Sequence, residues 1–284
     1  MSFFALCLVL VAGLVHASWK IATKKAGGDA RFSVFSGLVS MFVWAPVGIW
    51  LGLDEVPRWN ASQWGMLAPS ACVQSLYFVL LLRAYRKADL TVVYLLARGL
   101  GPLVSSLAAV LLRDERLTGW GALGLVAGGP GLWRAPRDPV NAVRLRADLR
   151  YGSLTGMCSA CYTVADGCAV KVLLISPSMF DYASNVLRMG LMGSGVLRDL
   201  PAAWLLWRQQ WRYALVVGIL SPISYVLVLY ALQTAPLYHV APAREVSMLF
   251  AALLGGHLLG EGKHGTRLLG AGCIAIGVMS LALG

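Results

Sequence analysis

Long apolar runs separated by short polar clusters fill this chain from end to end. A helix rising about 1.5 Å per residue needs roughly 20 apolar residues to cross a hydrocarbon core of about 30 Å. Ten stretches meet or approach that length: residues 3–23, 32–53, 65–85, 91–112, 118–134, 151–172, 177–198, 212–232, 237–259 and 267–283. Each ends where charges, Gly or Pro gather. The fold class expected is all-α, a polytopic membrane protein of ten transmembrane helices. The fifth and tenth stretches are the shortest. Their Gly124 and Gly128, and Ala271 and Ala275, have the four-residue spacing that lets helices approach closely. Bundle packing accounts for that spacing better than a dedicated dimer face; a homodimer is left open.

The pattern occurs twice. Ala97-Arg98 is echoed by Ala243-Arg244, Glu115 by Glu261, Gly119 by Gly265 and Gly124 by Gly270. The shift is close to half the chain, which marks a duplication into two halves rather than a many-repeat solenoid. The longest polar connection, residues 135–150, holds two prolines and four arginines and is the natural joint. The halves are then 1–134 and 151–284, five helices each. An odd helix number inserts the second half upside down. The result is an inverted repeat of the kind secondary transporters use for alternating access.

Composition sharpens this picture. Apolar residues make up 58% of the chain and charged residues 13%, where a soluble domain carries about 25% charged. The mean hydropathy is +0.70. A net charge of +11 raises nucleic acid as a partner, yet no basic run is interleaved with aromatics, so nucleic-acid binding is not expected. The charges are loop anchors instead. Lysines and arginines crowd the connections after the odd-numbered stretches, whereas the others hold only Arg58, Arg113, Arg116 and Lys171. By the positive-inside rule both termini then face away from the cytoplasm. The six cysteines all lie in apolar runs and imply no disulfide framework. Asn60-Ala61-Ser62 matches a glycosylation acceptor, a pattern short enough to arise by chance.

On these residues the sequence resembles the EamA-type members of the drug/metabolite transporter superfamily. The resemblance is carried by the ten stretches in two halves, by Tyr94-Leu95-Leu96-Ala97-Arg98-Gly99 and by Val240-Ala241-Pro242-Ala243-Arg244-Glu245. It is carried further by the acidic corners Asp114-Glu115-Arg116-Leu117 and Leu259-Gly260-Glu261-Gly262, the second of which lacks the Arg-Leu of the first. The resemblance implies small-molecule transport, often export, through a cavity between the halves of a multi-pass inner-membrane protein. Members of that family are often described with cytoplasmic termini, contrary to the charge count.

Polar exceptions within the apolar runs are the candidate site. An ionisable group at mid-bilayer costs at least ~2.5–3.5 kcal/mol, so it faces a cavity or a partner. Arg98 and Arg244 occupy equivalent places in the two halves, and a guanidinium fork suits a carboxylate or phosphate. Their alternatives are pairing with Asp166 or Glu245, or snorkelling to the nearer surface. Glu245 and Asp166 are candidates for proton coupling, because an apolar setting moves a carboxylate's titration towards the working range. The plainer reading makes them counter-ions. Tyr77 and Tyr225 sit mid-span, away from the interfacial belt that Trp and Tyr otherwise prefer. Pro242, two residues before Arg244, is the candidate hinge, and His16 a lone polar group near the end of the first stretch.

No motif calls for a cofactor, a metal or an enzyme. Gly260-Glu261-Gly262-Lys263-His264 imitates a phosphate loop, but His257 and His264 stand where Gly and Ser or Thr are required. The expectation is a transporter, in export mode, of a small metabolite such as an amino acid or organic anion. Its partners would be that substrate and the lipid bilayer, with either protons as coupling ion or plain downhill flux as the driving force. The rival is a non-transporting membrane scaffold or sensor.

Overall fold

The structure is a computed structural model that describes residues 2–26, 30–87, 100, 101, 104, 105, 108, 142–196, 200–244, 246, 247 and 250. Among them every regular element is helical: α1 (Phe3–Lys25), α2 (Ala30–Val43), α3 (Ala45–Glu55), a 3-10 turn (Val56–Arg58), α4 (Ala61–Lys87), α5 (Ala142–Lys171), α6 (Pro177–Val196), α7 (Leu200–Thr234) and α8 (Leu237–Ala243). The fourth, fifth and tenth stretches lie mostly or wholly outside the described residues.

Where the apolar runs are described they become helices, with three differences. The second run, expected as one span, is broken at Trp44, and its two pieces, Arg31–Val43 and Ala45–Arg58, meet at 63°. The cause is Pro46 in the first turn of α3. It has no N–H to donate, and its ring would collide with the carbonyl of Phe42 in a continuous helix. The sixth run begins earlier than expected. Residues 142–150, read from the sequence as part of a polar loop, are the first turns of α5. The eighth run also starts earlier, because α7 holds 35 residues. That is about 50 Å of helix, well beyond a hydrocarbon core of about 30 Å. The excess carries Trp204, Trp207, Arg208, Trp211 and Arg212, a composition suited to the headgroup zone.

Three described helices are long and apolar enough to cross a membrane, and a fourth if the bent pair is one span. Helices α5 and α6 are less apolar: α5 carries Arg144, Arg146, Asp148, Arg150, Asp166 and Lys171, and α6 carries Asp181, Asn185 and Arg188. Helix α1 runs antiparallel to α7. Val9 and Ala12 pack with Val228, Leu229 and Leu232 in the larger core, which α4, α5, α6 and α8 complete through Leu67, Val170, Phe180 and Val240. Farther along α1, Ala22 and Ala26 meet Phe32 and Val39 of α2 and Ala214 and Val217 of α7. Outward faces are equally apolar: Phe3, Phe42, Trp50 and Leu53 are largely exposed, as side chains facing acyl chains should be.

One end of the bundle is tied by polar contacts. Gln63 at the start of α4 donates to the Leu173 carbonyl at 3.2 Å, and Lys171 donates to the Ala235 carbonyl at 3.2 Å. The Ser176 N–H donates to Glu55 at 3.3 Å. Asn60 caps α4: its Oδ1 accepts from the Ser62 and Gln63 N–H groups at 3.0 and 3.1 Å, while Gln63 Oε1 accepts from the Asn60 N–H at 2.8 Å. This reciprocal capping box satisfies donors that a helix start leaves open.

Candidate functional site

Charged and amide side chains inside an apolar bundle are tolerated only where they satisfy one another. Here they form a chain of contacts across five helices. Asp166 of α5 is 1% exposed. Its Oδ1 accepts from the Ser70 hydroxyl of α4, and its Oδ2 accepts from the Tyr225 hydroxyl of α7 and, at 3.3 Å, from Gln74 Nε2. Gln74 faces both ways, because its Oε1 accepts from Arg188 Nη1 at 3.1 Å. Arg188 of α6 also donates to Asn185 Oδ1 at 2.7 Å, and its guanidinium lies 5.2 Å from the Phe78 ring centre. Asn185 in turn donates to the Gly37 carbonyl of α2 at 3.1 Å.

Local sequence explains the convergence. Ser70 and Gln74 are one helical turn apart on α4 and so share a face, and Asn185 and Arg188 do the same on α6. Ser70 directly follows Pro69, and Tyr225 lies three residues after Pro222, both prolines sitting inside unbroken helices. A proline frees a backbone carbonyl inside the bundle, which is tolerated only where protein or a cavity satisfies it.

On its other side Tyr225 lines a small cleft, with room for about one water molecule (≈ 20 Å³) and open in part to its surroundings, between α1, α7 and the segment after α8. Arg244 enters this cleft. Its guanidinium carbon stands 5.7 Å from the Tyr225 ring centre, within cation–π range. Among the described residues its side chain makes no ion pair or hydrogen bond. It acts on Asp166 only through space. His16, Ser224 and Ser247 add polar groups to the cleft, and Val9, Ala12 and Val228 an apolar wall. Gly13 lets α1 approach: a Cβ there would stand 2.8 Å from Val246 Cγ1.

Of the residues singled out from sequence, the structure brings together Asp166, Tyr225 and Arg244. Tyr77 is elsewhere, packed edge-on against Tyr162 at 5.9 Å and Phe78 at 5.6 Å. Pro242 lies in α8, one residue before its end. Arg98 and Glu245 fall outside the described residues. Sequence reading did not single out Ser70, Gln74, Asn185 or Arg188. The signal was present for the polar pairs at helical spacing, since Ser70/Gln74 and Asn185/Arg188 each put two hydrogen-bonding groups on one face. No group of three or more His, Cys, Asp or Glu among the described residues could hold a metal ion.

An apolar helical bundle with lipid-facing outer surfaces and a polar line through its interior defines a multi-pass membrane protein. Comparison with known families places it further: the chain belongs to the EamA-like transporter family, whose model matches residues 3–133 and 151–283. This is a family of transporters, not of enzymes. No curated protein matches the sequence. A solved structure described only as "Crystal structure of protein" is similar over 98% of this chain and 96% of that chain, with a TM-score of 0.74 at 16% identity. At that identity the likeness speaks for the fold alone.

Proposed function

We propose that the protein exports a small metabolite, an amino acid or an organic anion, from the cell across the inner membrane. It does so by alternating access between two inverted five-helix halves, residues 1–134 and 151–284, joined through 135–150. Arg244 is the substrate contact, with Arg98 as its counterpart in the other half. The observation that carries this reading is a guanidinium in a small cleft whose only described side-chain contact is an aromatic face. Such a group retains its fork of donors for a carboxylate. Asp166 and Glu245 are the candidates for coupling to protons, and Pro242 for the hinge.

The test is a metabolite profile of cytoplasm and medium. Cells producing the wild type are compared with cells producing the Arg98→Ala/Arg244→Ala double variant at equal membrane abundance. A compound that changes compartment only with the wild type is the expected result, and it names the substrate. Identical profiles would remove the arginines from the site.

A further inference from the structure

We propose that the outward face of α7 from Trp204 to Ile219 binds an anionic phospholipid. Arg208 and Arg212 hold its phosphate, and an acyl chain lies along Val216 and Ile219.

The first ground is a helix with one face fixed and the other open. The inward face packs on α2: Trp207 stands 5.5 Å from Phe35 between ring centres, and Ala214 and Val217 are buried with Phe32 and Val39. The outward face carries Arg208 and Arg212, both exposed, framed by the exposed rings of Trp204 and Trp211. Val216 and Ile219 continue the same face towards the middle of the helix and are exposed too. Steps of three and four residues keep these side chains in one row. The Arg212 guanidinium carbon lies 5.5 Å from the Trp211 ring centre, a cation–π contact that steadies the fork at the surface.

The second ground is depth. Thr234 ends α7 at the end of the bundle that Gln63 and Lys171 tie. Measured from there along the axis, Ile219 and Val216 are about 23 and 27 Å away, Arg212 about 33 Å and Arg208 about 39 Å. The aliphatic pair falls within a hydrocarbon core of about 30 Å. The arginines fall beyond it, inside the roughly 40–45 Å that a bilayer spans with its headgroups. Charge above and hydrocarbon below, on one face, is the order of a phospholipid lying against the helix. A free phosphate would use only the upper part.

The third ground is charge. Guanidinium forks take phosphate oxygens in pairs. Lys25, Arg31, Arg83 and Arg150 stand at the same end of the bundle, and each basic residue near a membrane surface strengthens attraction to anionic lipid. The two arginines therefore hold the phosphate within a field that favours a headgroup of net negative charge.

The purified full chain in detergent micelles is titrated with phosphatidylglycerol, with phosphatidylcholine of the same acyl chains, and with inorganic phosphate, while the Tm is recorded. Phosphatidylglycerol is expected to raise the Tm at a lower mole fraction than phosphatidylcholine, and inorganic phosphate to leave it unchanged. Arg208→Gln/Arg212→Gln should raise the phosphatidylglycerol fraction at the half-maximal effect about tenfold, the loss of one charge-assisted hydrogen bond. Its response to phosphatidylcholine should persist, which shows that the variant is folded; if it does not fold, Arg208→Gln alone is read in the same way. Arg83→Gln/Arg150→Gln removes the same charge from the same end of the bundle and should shift that fraction far less. Equal stabilisation by the two lipids would overturn the proposal. Equal loss in the two double variants would overturn it as well, because the effect would then belong to diffuse surface charge. Inorganic phosphate that reproduces the rise would replace the lipid with a free anion and overturn it too.

Discussion

Tyr225 does two separable things with one side chain. Its hydroxyl holds Asp166, and its ring lies under Arg244. Replacement by Phe removes the first and keeps the second. A hydrogen bond between side chains in a membrane protein contributes about 0.6 kcal/mol on average and up to about 1.7. Bonds to charged groups stand at the upper end. Tyr225→Phe should therefore lower stability by about 1–2 kcal/mol, read as a fall of a few degrees in the melting temperature followed by tryptophan fluorescence in detergent. Arg244-dependent export should survive in it. Tyr225→Leu, which removes the aromatic face as well, should lose export at a comparable melting temperature. Equal export in the two variants would show that the ring does not support Arg244. Sequence alone ranked Tyr225 above other tyrosines because it sits mid-span, but the same criterion promoted Tyr77, which packs on Tyr162 and Phe78 away from the described cleft. Depth along a helix is legible from sequence, whereas direction around it depends on which neighbours pack there.

Between elements, the approach of α2 to α7 depends on Gly218. A Cβ there would meet Val39 Cγ1 at 2.6 Å and the Ser36 carbonyl at 2.9 Å. The valine methyl can be removed or can turn aside; the backbone carbonyl cannot. Gly218→Ala should cost about 1–3 kcal/mol, the usual range for overpacking, and Val39→Ala should restore only part of it. Full restoration in the double variant would show that the Ser36 carbonyl is not the limiting contact. Thermal unfolding of the four proteins in one detergent completes the cycle. The break at Trp44 belongs to the same scale. Pro46 was visible in the sequence, but the apolar run on either side of it read as one span. Periodicity reports what a helix buries and is silent about a change in its axis.

Across the whole molecule, the described helices turn one weakly basic end and one strongly basic end to opposite sides. The first holds Arg58 and Lys171, tied near Glu55, Gln63 and Ala235. The second holds Lys25, Arg31, Arg83, Arg150, Arg208 and Arg212 at the far ends of the same helices. The positive-inside rule places the second end in the cytoplasm. In a variant lacking its six cysteines, Arg58→Cys should react with a membrane-impermeant thiol reagent in intact cells, and Arg150→Cys only after permeabilisation. The reverse pattern would put the weakly basic end inside.

The chain's own pattern decided its solvent. So many apolar runs of spanning length, with so few charges, can satisfy their backbone only as helices in lipid. The Ala-Arg echo and the residues around it were enough to point to the family, and the mid-span acids and bases were enough to nominate Asp166 and Arg244. What sequence could not decide was who meets whom. Asp166 could have paired with an arginine; the packing of α4, α5 and α7 instead gives it Ser70, Gln74 and Tyr225, and leaves Arg244 facing the cleft across the tyrosine ring. Serines and glutamine in an apolar run look like tolerated impurities until helices more than ninety residues apart in the chain bring them onto one carboxylate. Hydrophobic burial is proportional to area and has no direction, so it can be read along a single helix. Hydrogen bonds have direction and fixed length, and the partners that satisfy them exist only once the bundle is assembled.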